Sequence, residues 1–307
     1  MILTVCPNPC IDCTLELEKF NVGRLNRIEN RIECWAGKAL NTAVGVARLN
    51  YPVTVTGFMF ETGGKRCAQF LEGEGVKTKF VWNKGRLRTN YKIIDGKSMM
   101  TEINDRGEHV IEEKQDELLK LISELSSEAG IAVISGSLPG GVEDSFYGKM
   151  TASVNESSKV IVDCERNKML HAISGGVYMA KPNIHELEAI NNESYGSFKE
   201  MLAGCAKLID LGAENVLLSL GAEGAILTDG TNSYYCKSEN VAVNSTVGAG
   251  DSMLSAVSVA LERGMNAREV LRCGVAAGTA SITTAGTRLF FRDKYDEIYE
   301  KLSVISI

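Results

Sequence analysis

The sequence predicts an α/β fold: a central, mostly parallel sheet flanked by helices, with a small β-sheet lid. Strand-like and helix-like segments alternate along most of the 307 residues, the pattern of a parallel sheet covered by helices. Two stretches, about residues 11–34 and 87–104, break the alternation and supply strands without a following helix. They form either a separate sheet able to cover a site or an extension of the main sheet edge.

The elements follow in order. Leu3 and Val5 read as a strand that passes through Pro7-Asn8-Pro9 into a second, alternating strand over 11–17. Leu40, Ala43, Val44 and Ala47 recur at helical spacing, which predicts a helix over 39–50. A strand over 53–58, a short helix through Phe70 and a strand over 77–82 come next. The hairpin within 88–104 turns at Asp95-Gly96-Lys97. Leu118, Leu119, Ile122 and Leu125 predict a helix, followed by a strand over 131–135, a helix from Asp144 and a strand over 159–163. Strands over 177–181 and 216–220 bracket a helix carrying Phe198, Met201, Leu202, Cys205 and Ile209. Apolar runs of this kind are buried on both faces. No Pro/Gly/Ser linker divides the chain, so one domain over 1–307 with the lid strands inserted is expected.

A net charge of -6 provides no overall field for nucleic acid or an anionic membrane, so any bound phosphate needs a local pocket. The N-terminus has no basic start followed by a signal-length apolar stretch, and no apolar run has the length of a membrane span. A cytoplasmic protein is expected. Nine cysteines, mostly in apolar runs, suggest reduced, buried thiols. Cys6, Cys10 and Cys13 have spacing compatible with an iron–sulfur cluster, but strand alternation would separate them, and buried structural residues are the favoured reading.

The most informative segment is Ser245-Thr246-Val247-Gly248-Ala249-Gly250-Asp251-Ser252, placed between an expected strand over 241–243 and an apolar helix containing Met253, Leu254, Val257 and Leu261. A small-residue turn lets backbone amides approach an anion, and the helix dipole favours a phosphoryl group there. Asp251 at that helix start is expected to stay ionised and to accept a proton from an attacking hydroxyl. A simple N-cap aspartate would give the same pattern.

Three further segments could serve such chemistry. Gly37-Lys38 opens the first helix and offers an anion contact, although Lys38 could equally be solvated. Lys181-Pro182-Asn183-Ile184-His185-Glu186 ends a strand; Asn183 and Glu186 share a helix face and suit Mg²⁺ or its waters. His185 is expected at the surface, since His109 and His171 complete no zinc set. Ser219 to Gly224 joins two strands through a glycine turn that a nucleotide could approach, or that is a plain hairpin.

In order and spacing, these segments resemble the ribokinase-like (PfkB) family of carbohydrate kinases over nearly the whole chain. The STVGAGDS segment resembles the family's C-terminal signature, and AGKALN the more degenerate N-terminal one. Asn8-Pro9-Cys10-Ile11-Asp12, Arg88-Thr89-Asn90, Thr101-Glu102-Ile103-Asn104, the Ser135 to Gly140 run and Gly286-Thr287-Arg288-Leu289 are similar to the phosphosugar branch, which holds 1-phosphofructokinases, tagatose-6-phosphate kinases and minor 6-phosphofructokinases.

The resemblance implies transfer of the ATP γ-phosphoryl group to a ketohexose phosphate, giving a 1,6-bisphosphate, with fructose 1-phosphate the favoured acceptor. It implies Asp251 as base, with the amides of Gly248, Ala249 and Gly250 as the anion hole. Asp12 would hold sugar hydroxyls, with Asn90 and Ser137 near the sugar. Gly37, Lys38 and Asn41 would contact the sugar or its phosphate, and Arg88 with Arg24 or Arg27 would clamp the phosphate already present. Lys181, Asn183 and Glu186 would face the nucleotide phosphates and Mg²⁺, and Ser219, Gly221, Gly224 and Thr246 would line the ATP groove. It further implies a homodimer through the lid strands and leaves a potassium requirement open. Ala36, Ala39 and Leu87 depart from the family pattern and are expected to crowd a backbone that approaches the sugar. Those departures also motivate a rival reading, a sugar-phosphate- or nucleotide-binding protein without turnover.

Overall fold

The computed structural model describes residues 1–96, 99–284 and 289–307. The chain runs through β1 (Ile2–Cys6), β2 (Cys10–Leu17), β3 (Asn30–Ala36), α1 (Lys38–Arg48), β4 (Val53–Phe60), α2 (Glu61–Gly73), β5 (Lys77–Arg86), β6 (Arg88–Asp95) and β7 (Met100–Ile103). It continues with α3 (Glu112–Ser126), β8 (Ile131–Ser135), α4 (Phe146–Ala152), β9 (Lys159–Asp163), α5 (Arg166–Ser174), β10 (Val177–Ala180), α6 (Ile184–Asn191), α7 (Phe198–Asp210) and β11 (Ala213–Ser219). The last elements are β12 (Ala225–Thr228), β13 (Ser233–Cys236), α8 (Ala249–Glu262), α9 (Ala267–Ser281), α10 (Arg292–Lys301) and β14 (Val304–Ser306).

Ten strands form the main sheet in the order β14-β13-β12-β11-β10-β9-β8-β1-β4-β5. From β11 to β5 every neighbouring pair is parallel, and β12 to β14 add antiparallel strands at one edge. Strands β1, β4 and β8 are buried along their whole length, as apolar strands covered by helices on both faces must be. Side chains such as Leu3 and Val5 are 0% exposed, and each contributes about 1.5–3 kcal/mol of transfer free energy.

The two stretches that break the alternation pair with each other in a separate four-stranded sheet, β3-β2-β6-β7. Strand β2 runs antiparallel to β3 and parallel to β6, with Asp12 opposite Asn90 and Thr14 opposite Lys92. The edge-extension alternative is thereby excluded.

Helices α1 and α8 meet at very close range because position 45 is glycine: a Cβ there would lie 2.2 Å from Ser255 Oγ. The Ser255 hydroxyl reaches the carbonyls of Thr42 at 3.0 Å and Asp251 at 2.8 Å, which ties the first turn of α8 to α1.

The expected strand over 241–243 does not form. Residues 237–248 hold no strand, and Asn244 and Ser245 donate instead to the Ile282 carbonyl behind α9, so the Val241/Val243 alternation reflects one apolar wall rather than a ladder. The expected turn at Asp95-Gly96-Lys97 reaches outside the described residues at Lys97, and Gly286-Thr287-Arg288 lie outside them altogether.

Candidate active site

A parallel strand order places the carboxyl ends of neighbouring strands along one edge, where ligand sites of such sheets form. At that edge Asp163 ends β9, Lys181 follows β10 and Ser219 ends β11. A cleft of about 370 Å³ lies there, closed on its other side by Asp12, Arg88 and Asn90 of the small sheet. The first turns of α1 and α8 supply its remaining wall.

The entrance to α8 is built as the sequence suggested. Gly248 holds φ 83°, a left-handed conformation that favours glycine, and no side chain caps the helix, so its first amides stay available to an anion. A Cβ placed on Gly250 would sit 3.4 Å from Lys181 Nζ, in the space between the helix entrance and that ammonium. A larger residue at 250 would occupy the place an anion needs.

Asp251 is 7% exposed, and Asn41 Nδ2 donates to its Oδ2 at 2.8 Å. Its acidity runs opposite to the sequence expectation. Burial, reinforced by the charge of Asp163, pushes the carboxyl up to about 6, against Lys38, the Asn41 hydrogen bond and Lys181. Desolvation outweighs the helix dipole, and the group is poised near neutrality, the range a general base uses.

Asp163 is the residue that sequence reasoning missed. Its side chain is 2% exposed and lies 3.0 Å from Lys38 Nζ and 3.3 Å from Lys181 Nζ. Burial works against its charge, but Lys181 and Lys38 overcome that and hold it below the ordinary carboxylate range. For Lys38, burial likewise opposes the charge, while Asp163, Glu186 and Asp251 together hold the ammonium above its usual range. The site thus carries two fixed cations beside the uncapped helix. The available signal was an aspartate at the carboxyl end of an apolar parallel strand.

On the opposite wall, Asp12 sits in a compact network. Its Oδ1 accepts from Asn90 Nδ2 at 3.2 Å and from the Cys10 thiol at 3.5 Å, and its Oδ2 pairs with Lys92 Nζ at 2.9 Å. Lys92 is a second group the sequence reading did not single out.

Several expected contacts are placed differently. Arg24 and Arg27 lie exposed on the segment between β2 and β3 and do not line the cleft. Arg88 lines it, but its guanidinium donates to the carbonyl of Asn8 from Nε and Nη2, and to Asn90 Oδ1 and the Asp105 carbonyl from Nη1. It fastens the small sheet to the main body, so its fork is not free for a bidentate phosphate contact. Ser137 stays outside the cleft wall, where its hydroxyl accepts from Asn8 Nδ2 at 3.2 Å.

Ala39 and Leu87 are 0% and 3% exposed within the apolar core and do not crowd the cleft, because their side chains point away from it. Ala36, 2% exposed, is the one of the three departures that lines the cleft. Cys6, Cys10 and Cys13 are buried, and among the described residues no three His, Cys, Asp or Glu side chains are grouped to hold a metal.

An apolar groove of about 420 Å³ continues from the cleft through Asn183, Ser219 and Gly250, residues common to both. Gly221, Gly224 and Thr246 line it, with Val243, Val275 and Ile282 among its apolar walls. The Ser219–Gly224 segment is a hairpin connection as well, with a 3₁₀ turn over Gly221–Glu223. Asn183 and Glu186 form a reciprocal cap on α6: Asn183 Oδ1 accepts from the Glu186 amide and Glu186 Oε2 from the Asn183 amide. Asn183 therefore works first as a helix cap, while Glu186 keeps one oxygen without a partner among the described residues. Such a pair fits a Mg²⁺ that arrives on phosphates and meets the protein through water.

Comparison with known proteins agrees with this geometry. The family model described as pfkB family carbohydrate kinase matches residues 6–294. A 1-phosphofructokinase of Borreliella burgdorferi is 29% identical over 282 residues, 92% of this chain and 91% of its own. A tagatose-6-phosphate kinase of Staphylococcus epidermidis is 28% identical over 311 residues and is covered, like this chain, over 100% of its length. Phosphofructokinase-2 from Escherichia coli in complex with potassium superposes with a TM-score of 0.91 at 28% identity, over 98% of both chains. The chain belongs to the pfkB family of carbohydrate kinases.

Proposed function

We propose that the protein is an ATP-dependent ketohexose-phosphate kinase, with fructose 1-phosphate the favoured acceptor and fructose 1,6-bisphosphate the product. The observation that carries this reading is the Asp251 carboxylate at the uncapped start of α8, beside Asn41 and within a cleft that holds the ammonium groups of Lys38 and Lys181. Tagatose 6-phosphate and fructose 6-phosphate are the alternative acceptors.

The apolar groove accepts the nucleoside, which sends the triphosphate past Ser219 and Asn183 toward Gly250. Asp251 takes the proton of the acceptor hydroxyl as that oxygen bonds to the γ-phosphorus, and the bond to the β-phosphate oxygen breaks to release ADP. The first amides of α8, with Lys38 and Lys181, stabilise the charge on the transferring oxygens. Glu186 and Asn183 would hold Mg²⁺, which when bound would supply charge neutralisation on the nucleotide phosphates. Asp12 and Asn90 orient the sugar from the small sheet, which acts as a lid.

A second copy of the chain is part of this reading. The small sheet and its connections expose Val22, Leu25, Tyr91, Met100 and Ile103, a set of apolar side chains that a homodimer through the lid strands would cover. Among the described residues no helix is long and apolar enough to cross a membrane, in keeping with a cytoplasmic site of action. The potassium in the Escherichia coli relative's crystal makes dependence on that ion worth assaying alongside.

An acceptor screen with ATP and Mg²⁺, read by phosphorus NMR, tests the proposal. A bisphosphorylated ketohexose with matching ADP is expected; no turnover across sugars and sugar phosphates would end the kinase reading.

A further inference from the structure

The apolar groove that continues from the cleft carries one carboxylate, Glu239, among the described residues that line it. Glu239 is half-buried and makes no hydrogen bond or ion pair among the described residues. Lys301, whose ammonium feels its charge, pairs with Glu297 instead at 2.7 Å. An ionised carboxylate accepts hydrogen bonds and donates none, so Glu239 offers its oxygens to whatever donor enters the groove.

The sheet register tells how far this group stands from the phosphate end. Asn183 pairs with Ser219, Ser219 with Ala225 and Ala225 with Cys236, a row that runs outward from the cleft across β11, β12 and β13. Three steps of about 4.8 Å carry it roughly 14 Å from Asn183. Glu239 comes shortly after Cys236, and the chain between them is held against the groove turn, since a Cβ on Gly224 would lie 2.8 Å from the Ser238 amide nitrogen. There the carboxylate clears the triphosphate, which it would repel, and faces the far end of the nucleotide. The base is the part of a nucleoside triphosphate most distant from the γ-phosphate, and the donor that adenine carries is its exocyclic amine.

We infer that Glu239 is the specificity-determining residue for the nucleobase, and that its carboxylate accepts from the exocyclic amine of adenine. This rests on the nucleotide reading of the groove and not on the identity of the sugar phosphate. A base without that amine leaves the carboxylate half-buried and without a partner, and a base with a carbonyl in its place sets two acceptors against each other.

The test compares Glu239→Ala and Glu239→Gln with the parent, using fructose 1-phosphate as acceptor and either ATP or purine riboside triphosphate, which lacks only the amine. The parent is expected to favour ATP by about tenfold in kcat/KM, mostly through KM, the size of one hydrogen bond to a charged group in a partly solvated site. In Glu239→Ala that preference is expected to fall to within about twofold, while Glu239→Gln, which keeps one accepting oxygen, retains part of it. A preference equal in parent and Glu239→Ala overturns the inference. So does a Glu239→Ala variant that keeps the base preference and loses discrimination against 2′-deoxy-ATP, because the carboxylate would then serve the ribose. Isothermal titration with ADP and purine riboside diphosphate reads the same residue without acceptor or turnover, which separates this inference from the kinase proposal. An ADP preference of about tenfold in the parent, lost in Glu239→Ala, supports it whether or not any sugar is phosphorylated. Equal affinities in the parent, or no binding of either diphosphate, contradict it.

Discussion

Nδ2 of Asn41 donates a 2.8 Å hydrogen bond to Oδ2 of Asp251, although 210 residues separate the two in the chain. That contact brings the two Gly-containing segments together at one buried carboxyl whose pKa is raised to about 6. The acid limb of kcat/KM is therefore expected near pH 6, with activity falling below it as Asp251 takes up a proton. The linkage has a definite sign. The folded chain binds this proton more tightly than the unfolded chain, so stability falls as pH rises from about 4 to about 6. A shift of that size corresponds to roughly 3 kcal/mol. Asp251→Asn should accordingly melt higher than the parent at pH 8, and the difference should vanish toward pH 4; a lower Tm at pH 8 would contradict the assigned burial cost.

Asp163→Asn removes the shared counterion of Lys38 and Lys181 and leaves both ammonium groups facing a neutral amide. Breaking such a pair is expected to cost about 3 kcal/mol, the lower end of the range for buried pairs because the Lys38 side chain keeps 40% exposure. The same change withdraws a negative charge that helps to raise Asp251, so the acid limb should move to lower pH. A pH–rate profile of the variant, alongside its thermal melt, checks both expectations.

Arg88→Ala removes three hydrogen bonds that join β6 to Asn8 and Asp105 and a fourth that holds the Asn90 side chain, which sits beside Asp12. The KM for the sugar phosphate is expected to rise about tenfold, with a smaller change in kcat and in the KM for ATP. An unchanged acceptor KM would remove Arg88 from the site.

Ala39→Gly tests the meaning of a departure from the family pattern. The methyl group is 0% exposed in the core at the start of α1, so restoring glycine should destabilise the protein by about 1 kcal/mol and leave kcat/KM within about twofold. A clear gain in activity would show that the methyl does reach the sugar.

These residues also show what the sequence reveals and what it hides. The α8 entrance is legible because its chemistry is local: Gly248, Gly250 and Asp251 sit within four consecutive positions, between apolar segments of recognisable period. The small sheet is legible as two interruptions of an alternating pattern, although its parallel β2–β6 pairing is not, since nothing local encodes it. Asp163 and Lys92 carry no local motif in their strands; their partners lie 125 and 80 residues away, and only the folded register gives them meaning. Arg24, Arg27 and Arg88 show the converse, because residue type matches a phosphate clamp while placement directs two to solvent and one to main-chain carbonyls. The direction of the Asp251 shift is hidden in the sequence, because the helix dipole is visible there and burial is not, although a pKa of about 6 still leaves the carboxylate ionised at neutral pH.

The most direct measurement is turnover of Asp251→Asn followed by phosphorus NMR, with ATP affinity measured on the same sample. An amide at this position keeps the shape of the site and cannot accept the hydroxyl proton. Bisphosphate formation is expected to fall by about 10²–10⁴-fold, the usual share of a general base, with ATP affinity near that of the parent. Near-parental turnover in this variant would contradict the account.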